Sequence, residues 1–341
     1  MKIDLFDYNL PKELIAQTPI DPRDHCRLLV LDKKTGNFLD RYFYELPKFL
    51  DQNSVLVLNE TKVFPARLKA KKKTGGEVEI FLTKKINSKS WECLVGGRGI
   101  KVEDQLFLAE DLVGKIIEDL DGKTKIIQFN QADDKFLQTV EKIGQTPLPP
   151  YIKTADSKKI RDDYQTVFAK DKGSVAAPTA GLHFTKELLE KIKAQGVEIL
   201  TVTLHVGLGT FAPVEVEEIE EHQIHSEWAS IKKDVSDRLN DLKKSGKNII
   251  AVGTTAARTL EAFSTAKGNL ASGEKWVKIY IYPGYKYRFV DGLITNFHLP
   301  KSSLLFMVSA LAGRENIMAA YQHALKNDYR FFSFGDAMFI K

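Results

Sequence analysis

Between Pro65 and Asn130 one β-like run follows another, EVEIFLT, WECLVG, QLFLA, GKIIEDL and KTKIIQF, and nothing between them is long enough for a helix. Turn residues separate the runs: Gly75-Gly76, Gly96-Gly97 and the hairpin signal Asp121-Gly122. Strands spaced this closely predict a small β-barrel, which hides its own edges by closing. On either side of it helical and strand patterns alternate, as they do in an α/β domain. We therefore read the chain as α/β: a discontinuous α/β sandwich domain over residues 1–64 and 151–341, interrupted by an inserted barrel over 65–150. A length of 341 residues leaves room for two cores.

Composition excludes several classes. The hydrophobic share of 43% and the charged share of 28% are those of a globular chain. The apolar run from Leu304 to Ala312 is too short to cross a bilayer and reads as a buried helix. MKIDLFDYNL has no apolar segment after its first lysine, so no signal peptide is expected. Cys26 and Cys93 are too few for a disulfide framework, and a reducing compartment, the cytoplasm, is the simplest home. A net charge of +5 is compatible with a polyanionic partner without requiring one.

Outside the barrel, Pro11 is placed to open a short helix, KELIAQ. Leu28 to Leu31 and Val55 to Leu58 read as buried strands, the second ending in the polar Asn59-Glu60-Thr61. Gly144 to Lys172 is a connection stiffened by Pro147, Pro149 and Pro150. In it Tyr151, Tyr164 and Phe168 interleave with Lys158, Lys159 and Arg161. That mixture can stack on unpaired bases and meet phosphates, or can simply pack a long loop. The barrel lysines Lys71, Lys72, Lys73, Lys84 and Lys85 pose the same choice between a phosphate backbone and a solvated, edge-protecting face.

From Gly173 to Glu215 a loop carrying His183 leads into a helix, a strand and a second loop. Thr185 is the expected N-cap of KELLEKIKAQ, and Gly196 its stop. In the following strand Leu200, Val202, Leu204 and Val206 share one face, with Thr201, Thr203 and His205 on the other. His205 thus sits at the carboxyl end of a strand, where open α/β sheets bind ligands. Further on, a helix is expected from about Val235 to Lys244. Ile249 to Val252 form a strand that breaks at Gly253-Thr254-Thr255 and enters the helix AARTLEAF, an arrangement suited to an anion or to nothing beyond a capped helix. VKIYIY reads as a strand, Asp291-Gly292 as a hairpin turn, and LITNFHLP as its second arm, ending at Asn296 and His298. Ser302 or Ser303 should cap LLFMVSALA, which Gly313 ends. A helix from about Glu315 to Lys326 and the strand FFSFGDAMF finish the chain.

The motifs narrow the chemistry. Gly207-Leu208-Gly209 follows a strand, yet a dinucleotide fingerprint fails because Phe211-Ala212-Pro213 stands where a helix should begin. His222, His225 and His205 have a spacing that a metal could use, with no cysteine nearby. No G-x-S-x-G elbow occurs. Histidines 183, 205, 225 and 298, all near strand ends, suit acid–base work near neutral pH or structural hydrogen bonding. Two further readings stay open at this point, a non-catalytic nucleic-acid-binding protein and a metal-dependent hydrolase.

Longer blocks carry a resemblance that runs almost end to end. FDYNLPKELIAQTPIDPRDHCRLLVL, NETKVFPARL, TPLPPYI, YQTVFA, GSVAAPTAGLHFT, VTLHVGLGTFAPV, HQIHSE, VGTTAARTLE, DGLITNFHLPKSSLL and YRFFSFGDAMFI resemble the S-adenosylmethionine:tRNA ribosyltransferase-isomerase family of queuosine biosynthesis. Departures are small: Cys26 where serine is usual, Ile224 where methionine is usual, and Gly96-Gly97 where the barrel loop often has proline. The resemblance implies transfer of the ribosyl unit of S-adenosylmethionine to a 7-aminomethyl-7-deazaguanine in the wobble position of tRNA. It implies epoxyqueuosine-tRNA, adenine and methionine as products, with no metal and no cofactor beyond that cosubstrate. We expect tRNA and S-adenosylmethionine as partners, no membrane, and a monomer. His183 and His205 are then expected around the ribose as base and acid, His225 and His298 behind them. Thr179, Gly181, Gly207 and Thr210 would line the same loops. Thr254, Thr255 and Arg258 would hold a carboxylate or phosphate, and Glu227 or Asp336 the methionine ammonium. Lys71, Lys72, Lys73, Tyr151, Lys158, Arg161 and Tyr164 are the expected nucleic-acid contacts.

Overall fold

A computed structural model describes residues 1–149, 151–154, 157–207 and 214–341. It divides into two compact units, each described by itself below. One comprises Met1–Lys62, Pro150–Asp171 and Ala177–Lys341; the other comprises Val63–Pro149 with Lys172–Ala176.

In chain order the first unit begins with β1 (Arg27–Leu31), β2 (Phe38–Tyr42) and β3 (Ser54–Asn59), and a short β4 (Thr61–Val63) follows. The second unit carries β5 (Arg67–Lys72), β6 (Glu77–Lys85), β7 (Ser90–Gly96), β8 (Gln105–Phe107), β9 (Val113–Asp119), β10 (Thr124–Phe129) and α1 (Asp133–Ile143). After α2 (Lys158–Asp163) and the short β11 (Asp171–Ser174) come α3 (Lys186–Ala194), β12 (Glu198–His205), β13 (Glu227–Ile231), α4 (Lys233–Lys244), β14 (Asn248–Val252) and α5 (Thr254–Phe263). β15 (Gly273–Val277), β16 (Gly292–Asn296), α6 (Ser303–Ala312), α7 (Arg314–Lys326) and β17 (Ala337–Ile340) complete the chain.

Strands β10-β7-β6-β5-β8-β9 close an antiparallel barrel. Alternation builds it: in β5, Leu68 and Ala70 are buried while Lys69 and Lys71 stand outward, opposite Glu79 and Glu77 of β6. Helix α1 plugs the barrel with Phe136, whose ring lies 4.6 Å from Phe129 and 5.6 Å from Trp91.

In the first unit a nine-stranded sheet runs β15-β13-β12-β3-β14-β16-β17-β1-β2. Its centre, β12-β3-β14-β16, is parallel throughout. Every residue of SVLVLN in β3 is buried, as a strand covered on both faces requires. One face packs Leu28, Leu56, Leu58, Ile294 and Phe339 against Phe43, Phe184 and Ile192 of the layer above. Helix ends follow their caps: Thr185 Oγ1 accepts from Leu188 N at 3.1 Å, and Ser302 Oγ accepts from Leu305 N at 3.3 Å. Among the described residues no helix is long and apolar enough to cross a membrane.

Four local expectations give way to tertiary pairing. KELIAQ is only a 3₁₀ turn, Lys12–Leu14, because Ile15 and Ala16 bridge to Phe331. VKIYIY leaves the sheet at Val277. Asp291-Gly292 makes no hairpin, since its carboxylate takes Lys243 at 2.6 Å and Ile249 N at 2.8 Å, and β16 then pairs in parallel with β14. FFSFGDAMF is strand only from Ala337. Before that point the chain turns on Gly335, where a Cβ would lie 2.4 Å from the Arg330 carbonyl oxygen. Gly335→Ala is accordingly expected to cost about 1–3 kcal/mol. Urea unfolding would register this as a lower midpoint with an unchanged slope.

Candidate functional site

Parallel strands put their carboxyl ends at one edge of the sheet, and the polar residues of this unit collect there. Asn59 joins β3 to β12: its Oδ1 accepts from Thr61 N and Leu204 N, both at 3.1 Å, and its Nδ2 donates to Leu204 O at 3.0 Å. This fixes Thr61 beside His205, with Oγ1 2.8 Å from Nδ1. The imidazole stacks on Trp228 at 4.8 Å and 16°, leaving Nε2 without a partner among the described residues. Burial pushes the His205 pKa down to about 4, although the Asp171 carboxylate opposes the shift. At neutral pH His205 is an uncharged acceptor.

His183 is held in a different way. The Thr179 hydroxyl donates to Asn296 Oδ1 at 2.9 Å, and Asn296 Nδ2 donates to His183 Nε2 at 2.9 Å and to Phe332 O at 3.1 Å. Since Nε2 accepts, the ring proton belongs on Nδ1, 3.2 Å from Cys26 Sγ. Both ring nitrogens are engaged. The side chain is buried, and desolvation, reinforced by Arg23 and Arg330, lowers its pKa to about 3. Gly181 belongs to the same 3₁₀ turn, where a Cβ would come within 2.7 Å of the Phe168 ring. Thr179, Gly181 and His183 thus form a packed knot beneath the edge.

Beside it lies a cleft, partly open to solvent. Gly253 turns the chain out of β14 with φ 88° and gives α5 no side-chain cap, so the first-turn N–H groups face no protein acceptor of that kind. Thr254, Thr255 and Arg258 of α5 line the cleft with His225, Glu227, Ile279–Ile281, Ser303, Leu304 and Met307. Glu227 Oε2 pairs with Arg258 Nη1 at 2.5 Å, while Oε1 accepts from Gly207 N at 3.1 Å. Arg258 Nη2 also donates to the His225 carbonyl at 2.7 Å. Two buried donors, Thr255 Oγ1 and Arg258 Nε, have no protein partner among the described residues.

Other expected residues fall elsewhere. His298 is buried against Thr295 Oγ1 at 2.8 Å, and desolvation lowers its pKa to about 3. Asp336 is no ligand for an ammonium group: its two oxygens accept from Arg27 N and Arg330 N, both at 2.7 Å, deep in the core. Tyr164 is fully buried, edge-on to Phe334 at 5.9 Å, so its ring offers no face to a base. Tyr151 bonds Ser333 Oγ at 2.7 Å. Lys72 donates to the carbonyls of Arg98 and Gly99, whereas Lys71, Lys73 and Lys158 are exposed and Arg161 is half-buried. Thr210 lies outside the described residues. Among those described, no group of His, Cys, Asp or Glu gathers as a metal site would, His205, His222 and His225 included. Asn296, Thr61, Trp228 and Tyr280 were missed as site residues; the only signal was the polar strand ends containing Thr61 and Asn296.

Comparison with known proteins adds a third line. Residues 3–340 match the family model described as "Queuosine biosynthesis protein". A curated protein of Halothermothrix orenii named S-adenosylmethionine:tRNA ribosyltransferase-isomerase is 50% identical over 345 residues, covering 100% of both chains. The crystal structure of an S-adenosylmethionine tRNA ribosyltransferase from Thermotoga maritima is similar with a TM-score of 0.57 and 37% identity, over 99% of this chain and 100% of that one.

The buried histidines make stability depend on pH. His183, His205 and His298 titrate near 3, 4 and 3 when folded, against about 6.5 when unfolded. Below about pH 6.5 the unfolded chain binds protons that the folded chain refuses, so stability falls as pH drops from there toward 4. Each histidine contributes a slope of up to about 1.4 kcal/mol per pH unit. Melting temperature should therefore decline between pH 7 and 5; a constant value would contradict the assignment.

Proposed function

The chain belongs to the queuosine biosynthesis protein family, and from that membership we propose that it is an S-adenosylmethionine:tRNA ribosyltransferase-isomerase. In this reading it moves the ribosyl unit of S-adenosylmethionine onto 7-aminomethyl-7-deazaguanine at the tRNA wobble position. Epoxyqueuosine-tRNA, adenine and methionine leave. The observation that carries the reading is the 50% identity extending over the whole of both chains.

Cleft and chemistry can be matched residue by residue. A methionine carboxylate suits the uncapped start of α5, where Thr254 and Thr255 add hydroxyls. Arg258 is already neutralised by Glu227, and its unpaired Nε remains for a ligand oxygen. Glu227 lines the cleft and Asp336 does not, so we assign the ammonium to the Glu227 carboxylate, which it would share with Arg258 and Gly207 N. The sulfonium acidifies the 5′ carbon, and a neutral base can then take that proton. We give this task to His205, whose Nε2 has no partner among the described residues and whose Nδ1 is steadied by Thr61. Departing adenine needs a proton, and His225 is the cleft histidine available to supply it. Closure of the epoxide expels methionine. His183 acts as a positioning residue through Asn296 and Thr179. Exposed Lys71, Lys73 and Lys158 are assigned to the tRNA backbone.

Incubation with S-adenosylmethionine and tRNA carrying the aminomethyl base should release adenine and methionine together. Binding of tRNA without consumption of S-adenosylmethionine would favour the non-catalytic alternative. His205→Ala should lower kcat by about 10²–10⁴-fold; near-normal turnover would remove His205 from the reaction. Because a base must be unprotonated, the acid limb of kcat/KM should lie near pH 4 and leave the rate flat from pH 5 to 7.

A further inference from the structure

The residues following β15 form an irregular strap, Lys278–Arg288, that turns at Pro283-Gly284 and supplies one wall of the cleft. Ile279, Tyr280 and Ile281 line the cleft, and Tyr280 and Tyr282 pair their rings at 4.9 Å. Beyond the turn Tyr285 and Tyr287 point their hydroxyls inward, to Glu261 Oε2 and the Met307 carbonyl, both at 2.9 Å. The intervening Lys286 and Arg288 are exposed, as is Lys278. None of these three cations has an ion-pair partner among the described residues.

The strap is rigid by construction. Glu261, buried on α5, accepts Tyr285 OH and the backbone N–H groups of Arg288, Phe289 and Val290, all at 2.9 Å. Tyr280 OH donates to Ile219 O at 2.8 Å. Tyr280, Tyr285 and Tyr287, held by their hydroxyls, fix the strap on which Tyr282 packs against Tyr280. The acidic run beside Tyr280 is turned toward the amino terminus, where Glu218 and Glu220 bind the Met1 ammonium at 2.6 and 2.7 Å.

We propose that this strap is the surface on which unpaired bases of the substrate RNA stack, with Lys278, Lys286 and Arg288 meeting the adjoining phosphates. Aromatic faces interleaved with unpaired cations, beside a cleft, are what a single-stranded RNA loop requires. An acidic peptide would use the cations and leave the rings idle. The inference rests on the tRNA-modifying reading and names the face of the site that meets the anticodon loop.

The test is equilibrium binding of an unmodified anticodon stem-loop RNA at several salt concentrations, without S-adenosylmethionine. A chain that released no adenine would still give an answer. Lys278→Ala/Lys286→Ala/Arg288→Ala should flatten the slope of log affinity against log salt by about 2, at roughly 0.7 per single-strand phosphate contact. Tyr282→Ala should weaken RNA binding about tenfold, and Tyr282→Phe, which keeps the ring, should not. Heparin, a polyanion without bases, should respond to the triple variant and ignore Tyr282→Ala. An unchanged slope in the triple variant, or equal loss of RNA and heparin binding in Tyr282→Ala, would overturn the proposal.

Discussion

The site depends first on where β3 lies. Parallel pairing to β12 on one side and β14 on the other brings three strands to an end together, and β16 makes a fourth. Peptide groups at that edge have no further strand to bond, so side chains must satisfy them. Asn59 does this for β3 and β12, and Asn296 does it for the Phe332 carbonyl beyond β16. Because an amide both donates and accepts, each asparagine also fixes the orientation of what it touches. Thr61 and His205 are aligned through the first, Thr179 and His183 through the second.

A second constraint is electrical. Glu227 and Arg258 are both largely buried, and either alone would carry a heavy desolvation cost. Paired, they cancel, and Glu227 Oε1 and Arg258 Nη2 reach Gly207 N and the His225 carbonyl. The pair therefore ties the end of β12 and the start of β13 to α5. It also leaves that wall of the cleft close to neutral, with the helix terminus as its weakly positive end. Such a wall suits a ligand that is itself zwitterionic better than a polyanion.

What the sequence disclosed and what it concealed follow from range. Buried strands such as β3, the caps Thr185 and Ser302, and the glycine break into α5 depend on neighbours a few residues away, and all are legible. So is the barrel, because strand runs too close for helices admit few architectures. The failures are long-range. Ile15 extends only because Phe331 lies beside it, and VKIYIY leaves the sheet although its pattern is that of a strand. At the site, local pattern marks a polar residue at a strand end without saying whether it turns to solvent or inward. His183 and Asn296 are 113 residues apart, and only folding makes them one hydrogen-bonded unit. Asp336 and Tyr164 carried the right chemistry for a ligand and were spent on backbone amides and core packing.

The Cys26 contact has one more consequence. Its sulfur receives the imidazole proton of His183 in a site closed to water, and burial raises the thiol pKa well above its usual value. Cys93 is buried as well, with its own thiol raised in the same way. Thiolate, the form that peroxides and electrophiles attack, is thus withheld at both positions. The folded protein offers oxidants no cysteine thiolate, and either thiol would have to be uncovered by unfolding before it could be marked.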